Sequence, residues 1–212
     1  EIEKNEKLLD ELKKLSEKLK EEELFEKIDK FKQSSKNQTK NLEQLVELTK
    51  KYYVEKKAEQ LADKLDKLSE KQDKMANDDK QNSAEKQNEI NKEFDKIQEE
   101  LDQLEKDNKE LKAPMDIPND EQTEKSIDED LKKASEELQK DKREKAKPKQ
   151  KSASQKMKKK SGAMKDAMDN RPELRRLKLQ VEINKVDLDY FKNQTKPRTQ
   201  SVFALPFAFA RN

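Results

Sequence analysis

The side chains that most often do chemistry are missing from this chain of 212 residues, which contains no His, no Cys and no Trp. Nucleophile and base pairs built on imidazole or thiol are therefore excluded. The remaining route is a Ser activated by a Lys, and pairs such as Ser161 with Lys165 arise in any Lys-rich helix without chemical significance. Phosphate-cradling loops need several glycines at fixed spacing, whereas Gly162 stands alone inside a helical pattern. It reads as a weak point where two helices approach closely. Acidic runs at Glu21, Glu22 and Glu23 and at Asp128, Glu129 and Asp130 attract divalent cations but lack the Gly-bearing turn of a calcium loop, so a solvated helix face is the preferred reading. No catalytic residue, metal site or cofactor is expected, and the chain does not read as an enzyme.

Two segments carry binding chemistry. The first is basic: within residues 142–160, Lys156, Lys158, Lys159 and Lys160 form a cluster able to neutralise phosphates of nucleic acid or anionic lipid. No aromatic residue interleaves for base stacking, and a strongly acidic stretch lies next door. Neutralisation within the chain is therefore preferred, and nucleic acid is disfavoured as a partner. The second segment is apolar and close to the C-terminus, where Val202, Phe203, Leu205, Phe207 and Phe209 are interrupted by Pro206. It is too short to span a bilayer as a helix and suits docking on a protein partner, for example by strand addition to a sheet edge.

The elements that would position these segments follow from composition and phase. Charged residues make up 46% of the chain and hydrophobic ones 29%, so it can bury narrow seams but not a thick core. Such seams are present. Ala58, Leu61, Leu65, Leu68, Gln72 and Met75 recur at steps of three and four, as do Ile90, Phe94, Ile97, Leu101, Leu104, Asn108 and Leu111. The heptad frame slips by one between Met75 and Ile90, beside Asn77, Asp78, Asp79, Asn82 and Ser83. Folding back about residue 81 sets Ala58 opposite Leu104, Leu61 opposite Leu101, Leu65 opposite Ile97 and Leu68 opposite Phe94. A second fold-back about residues 34–39 matches Phe31 with Leu42, Ile28 with Leu45, Phe25 with Leu48, Leu19 with Val54 and Leu12 with Leu61. Gln72 and Asn108 then read as register-setting polar layers.

Pro114 and Pro118 end this pattern, since each lacks an amide donor and pushes its predecessor toward extended structure. Beyond them, Ser126 with Glu129 suggests a capping box. Reflection about Lys147 and Pro148 pairs Ile127 with Met168, Leu131 with Met164, Ala134 with Ser161 and Leu138 with Met157. Residues 119–141 carry nine acidic and four basic groups, and 142–165 carry eleven basic and one acidic. The two arms should attract each other. After Pro172 the apolar period shortens from 3.6 to 2, as in Leu177, Leu179, Val181 and Ile183, which reads as short strands. The fold class expected is mainly α: an antiparallel coiled-coil three-helix bundle over residues 1–112, a Pro-containing turn at 113–118, a charge-complementary helical hairpin at 119–170, and an extended, β-like tail at 171–212.

The runs Leu68-Ser-Glu-Lys-Gln72, Asn91-Lys-Glu-Phe-Asp95, Asn108-Lys-Glu-Leu-Lys-Ala-Pro-Met-Asp-Ile-Pro118 and Gln155-Lys-Met-Lys158 resemble the Lys/Glu-rich coiled-coil region of large Bacteroidetes envelope proteins that carry a domain of unknown function. The likeness covers roughly residues 20–168, and the chain departs from the pattern after about Asn170. What the resemblance implies is a location in the cell envelope on its periplasmic side and a scaffolding or assembly role within a larger complex. The chain opens on Glu1 rather than Met, which leaves a membrane anchor outside it as an expectation. Self-association is open. Two other functions compete with scaffolding: a periplasmic holdase chaperone whose arms enclose unfolded clients, and polyanion binding through residues 142–160.

Overall fold

The computed structural model describes residues 2–19 and 39–169. Among these residues all regular structure is helical: α1 (Ile2–Leu19), α2 (Thr39–Asn77), α3 (Ala84–Lys109), α4 (Glu121–Gln139) and α5 (Arg143–Asp169). The β-like segment read after Pro172, and the docking residues Val202, Phe203, Leu205, Phe207 and Phe209, lie outside the described residues.

Helix α2 is the hub, packing on α1, α3 and α5, while α4 closes a ring by packing on α3 and α5. Contacts show the direction of each neighbour. Lys64 meets Glu100 and Lys71 meets Glu93 between α2 and α3. Asn88 accepts from Ser135 between α3 and α4. Glu124 meets Lys160, and Asp130 meets Lys149, between α4 and α5. Asp63 on α2 meets Lys165 on α5, and Asp79 in the turn just after α2 meets Lys147 on α5. Numbers rise on one helix as they fall on the next, so the ring is an antiparallel, up-down-up-down four-helix bundle. Leu61, Leu65, Leu68, Phe94, Ile127, Leu131, Met157 and Met164 are almost completely buried at its centre.

This architecture differs from the sequence reading at three places. The hairpin at 119–170 does not stand apart from residues 1–112: α5 lies along α2 in the most extensive helix pair of the fold. Small residues allow it, because Ala62 and Ser69 on α2 meet Ser161 and Ser154 on α5, all four of them buried. The Ser154 hydroxyl donates to the Ser69 carbonyl at 2.9 Å and the Ser161 hydroxyl to the Ala62 carbonyl at 2.7 Å. A seam judged by apolar period alone does not register Ala62, Ser69 or Ser154, and it sets Ser161 opposite Ala134 instead.

The second difference is the sense of α1. Lys4 pairs with Glu43 and Glu11 with Lys50, and Lys18 stands 5.3 Å over the Tyr53 ring, so α1 runs parallel to α2. Leu9 and Leu12 pack on Val46, with Leu8 and Leu45 alongside. Leu12 is therefore not opposite Leu61, and the antiparallel three-helix unit is replaced by a helix docked on the first half of α2. The layers proposed for Phe25, Ile28 and Phe31 fall outside the described residues.

The third is the turn between α4 and α5. Phase placed it at Lys147 and Pro148, yet the chain reverses at Lys140–Lys142. The Asp141 amide donates to the Leu138 carbonyl at 2.9 Å and the Lys142 amide to the Glu137 carbonyl at 2.8 Å. That pair of bonds is a Schellman closure, and it requires a left-handed residue, which Asp141 supplies with φ 55°. Asp tolerates that conformation less well than Gly but better than most residues. Pro148 then sits inside α5, where the helix loses one backbone bond. The N-cap of α4 is Asp120, whose carboxylate accepts the Thr123 amide at 3.0 Å, in place of the box read at Ser126 and Glu129.

Candidate functional site: a buried carboxamide network and the charged edges around it

Near the α2–α3 turn the bundle core is polar. Gln72, Gln87 and Gln150 are 0% exposed and Asn82 is 1% exposed. Gln72 Nε2 donates to Gln87 Oε1 at 3.0 Å and Gln87 Nε2 returns the bond to Gln72 Oε1 at 2.9 Å. Gln87 Nε2 also donates to Asn91 Oδ1 at 2.9 Å, and Gln150 Nε2 donates to Gln87 Oε1 at 2.8 Å. A second reciprocal pair joins Gln150 to Asn82, at 3.0 and 2.9 Å. Five amides from α2, α3, α5 and the turn thus saturate one another's acceptors. Sliding any one helix would strand buried polar atoms at about 1–3 kcal/mol each, which makes the network a register lock. The sequence pointed to Gln72; Gln87 and Gln150 carry no signal of their own because Gln is common on solvated helices. Asn108 is not a layer of this kind. It clamps the Pro-containing turn, donating from Nδ2 to the Met115 carbonyl at 2.6 Å and accepting the Met115 amide at 2.7 Å.

Around the network, charge is sorted by helix edge. The edge of α2 toward α3 carries Lys57, Lys64 and Lys71, which meet Glu100 and Glu93. Burial by itself raises the Glu100 carboxyl, but hydrogen bonds from Lys57 and Lys64 outweigh it and hold the group below its ordinary value. The opposite edge of α2 carries Asp63 and Asp66, and Asp79 follows in the turn after it. Lys165 reaches Asp63 at 2.9 Å and Asp66 at 3.3 Å, and Lys147 reaches Asp79 at 3.0 Å. Hydrogen bonding to Asp63 raises the Lys165 ammonium above its usual range. On the α4 side of α5, Lys156 and Lys149 converge on Asp130, at 2.5 and 3.4 Å. Asp130 also accepts from Ser152 at 2.7 Å. Its side chain is 7% exposed. Desolvation pushes its carboxyl up, and the bonds from Lys156 and Ser152 outweigh that and hold it below the usual carboxylate range. Exposed pairs contribute about 0–1 kcal/mol each. Their effect is to favour neighbours: the basic edge of α2 meets acids of α3 and its acidic edge meets lysines of α5, so exchanging α3 and α5 would set like charges together.

Of the four lysines singled out for polyanions, Lys156 and Lys160 are engaged by acids of α4, Lys160 buried and Lys156 half-buried on Asp130. Lys160 pairs with Glu124 at 2.5 Å, with side chains 4% and 9% exposed. Lys158 and Lys159 remain exposed. The Gly162 reading also changes, since no neighbouring helix crowds it: a Cβ built there meets no atom within 4 Å. Among the described residues no group of three acidic side chains converges to hold a metal ion, and no helix is long and apolar enough to cross a membrane. Clefts are shallow and of mixed charge. A groove of about 670 Å³ between α2 and α3 is lined by Lys71, Lys74, Asp78, Lys86 and Glu93, with Met75 and Ile90 in the same lining. Comparison with protein-family models, curated proteins and solved structures finds no match.

Proposed function

We propose that this chain is a non-enzymatic scaffold or spacer that holds protein partners at fixed positions along a stiff helical bundle. One observation carries the reading: the buried polar groups of Gln72, Gln87, Gln150 and Asn82 are spent on bonds to one another across three helices and a turn. Polar chemistry is invested in a single register of helices, which is what a spacer needs and a catalyst does not. The proposal includes docking of a protein through the C-terminal Val202, Phe203, Leu205, Phe207 and Phe209. A pull-down in which deletion of 202–210 left every partner bound removes that element. A periplasmic envelope location is proposed on the strength of the sequence resemblance and is checked by fractionation.

Two measurements test the spacer itself. Amide hydrogen exchange is expected to show α2, α3, α4 and α5 opening as one cooperative unit. At stoichiometric amounts the folded chain is expected to leave aggregation of a heat-denatured client unchanged. Strong suppression of that aggregation, with independent opening of the helices, makes the chain a holdase and overturns the scaffold.

A further inference from the structure

The edge charges of the bundle leave a remainder on α5. Lys147, Lys149, Lys156, Lys160 and Lys165 are held by acids. Lys145, Lys151, Lys158 and Lys159 are exposed and have no ion pair among the described residues. No acidic residue occurs from Lys145 to Lys165. The outward face of α5 therefore carries one sign from Lys145 to Lys159, over about 21 Å at 1.5 Å per residue. Other outward faces alternate in sign, as with Glu89, Lys92, Lys96 and Glu99 on α3.

Three features narrow what covers this stripe. It is free of exposed aromatic and large apolar side chains, so its occupant is recognised by charge. It is also narrow. The neighbouring edge of α2 exposes the carboxylates of Asp63 and Glu70, with side chains 60% and 57% accessible even as they pair with Lys165 and Lys74, and Asp73 follows one turn on. A membrane surface or a nucleic-acid duplex is wider than one helix and would press its phosphates toward these carboxylates. Finally, the stripe runs into Gly162 and Ala163. Glycine weakens a helix relative to alanine, and the open space around Gly162 shows that the fold itself gains nothing from its lack of a side chain. A close approach from outside gives that residue a use.

We infer that the α5 stripe docks one acidic α-helix of a partner protein, lying along residues 145–163 and coming closest at Gly162. Lys151 and Lys158 are seven residues apart, about 10.5 Å, so carboxylates repeating at heptad spacing meet both. The inference rests on the scaffold reading and names the kind of partner it would hold.

The test titrates the full-length, isotope-labelled chain at low salt with a synthetic alanine-rich helix bearing glutamates at heptad spacing on one face. An isomeric peptide with the same glutamates wound around the helix, vesicles of phosphatidylglycerol, and duplex DNA serve as the other arms. The striped peptide is expected to bind, to shift amides confined to residues 145–163, and to lose about tenfold in affinity when Lys151, Lys158 and Lys159 are changed together to Gln. Gly162→Leu is expected to remain helical and to weaken binding as well. Equal affinity for the two peptides, undiminished binding by the triple variant, or tighter binding of vesicles or DNA overturns the inference. Because the scaffold is judged by exchange and aggregation, its failure shows separately.

Discussion

Changing Gln87 to Leu tests the register lock where it is most connected. Gln87 makes both of the bonds that Gln72 has, one to its oxygen and one from its nitrogen. Its loss leaves Gln72, at 0% exposure, with a stranded donor and a stranded acceptor. Two such groups at about 1–3 kcal/mol each predict a cost of about 2–6 kcal/mol. Asn91 also loses a donor, but it is only half-buried and can turn to water, while Gln150 keeps its reciprocal pair with Asn82. The converse change is cheaper. Gln72→Leu leaves Gln87 Oε1 with the Gln150 donor and Gln87 Nε2 with Asn91, so about 1 kcal/mol or less is expected. The double variant removes the stranded groups along with their partners and should be at least about 2 kcal/mol more stable than the sum of the singles implies. Equilibrium urea unfolding followed by far-ultraviolet circular dichroism measures all four proteins without screening the charges that guanidinium would mask. Equal costs for the two single changes, or additivity within about 0.5 kcal/mol, would refute the reasoning.

Other consequences concern the turns and the charged edges. Asp141→Gly relieves a left-handed backbone at φ 55° and should stabilise the fold by about 0.5–1 kcal/mol, read as a higher melting temperature; no gain would argue against the Schellman closure. Asn108→Ala removes both bonds to the Met115 backbone, predicting a loss of about 1–3 kcal/mol in urea and faster proteolysis at residues 112–119. Asp130 has a folded-state carboxyl held below its ordinary value of 3.8, so its stabilising effect is full above that value and is lost as pH falls below it. Acid titration of the melting temperature should therefore fall less steeply below pH 3.8 in Asp130→Asn than in the parent, and an identical slope would remove Asp130 from the account.

The helical class, the α2–α3 hairpin and the break at Pro114 were legible because they rest on apolar period and proline, which act locally. The fold-back about residue 81 lies within the turn that separates α2 from α3. What was not legible depends on surfaces that period does not encode. The α2–α5 seam is built from Ala62, Ser69, Ser154 and Ser161, residues equally at home on a solvated face. The α4–α5 turn hides in Lys140–Lys142 without a glycine, and Pro148 drew the expected reversal to itself. Heptads match at several offsets, which is how Leu12 was set opposite Leu61 when its neighbour is Val46. The edge charges would have chosen between such offsets, because Lys57, Lys64 and Lys71 recur at seven on one side of α2 and Asp63 and Asp66 fall on the other. Charge count marks the basic arm, but only packing separates Lys156 and Lys160, which pair with acids of α4, from Lys158 and Lys159, which stay exposed.

The most direct test of the account is whether α5 lies antiparallel on α2 within one molecule. The chain has no natural cysteine, so Asp63→Cys with Lys165→Cys places the only two thiols where the ion pair now spans 2.9 Å. A short bis-maleimide at low protein concentration should convert this variant to an internally bridged monomer, and a control with Asp63→Cys and Lys145→Cys should remain unbridged. Bridging only between chains, or equal bridging in both variants, would contradict the four-helix bundle.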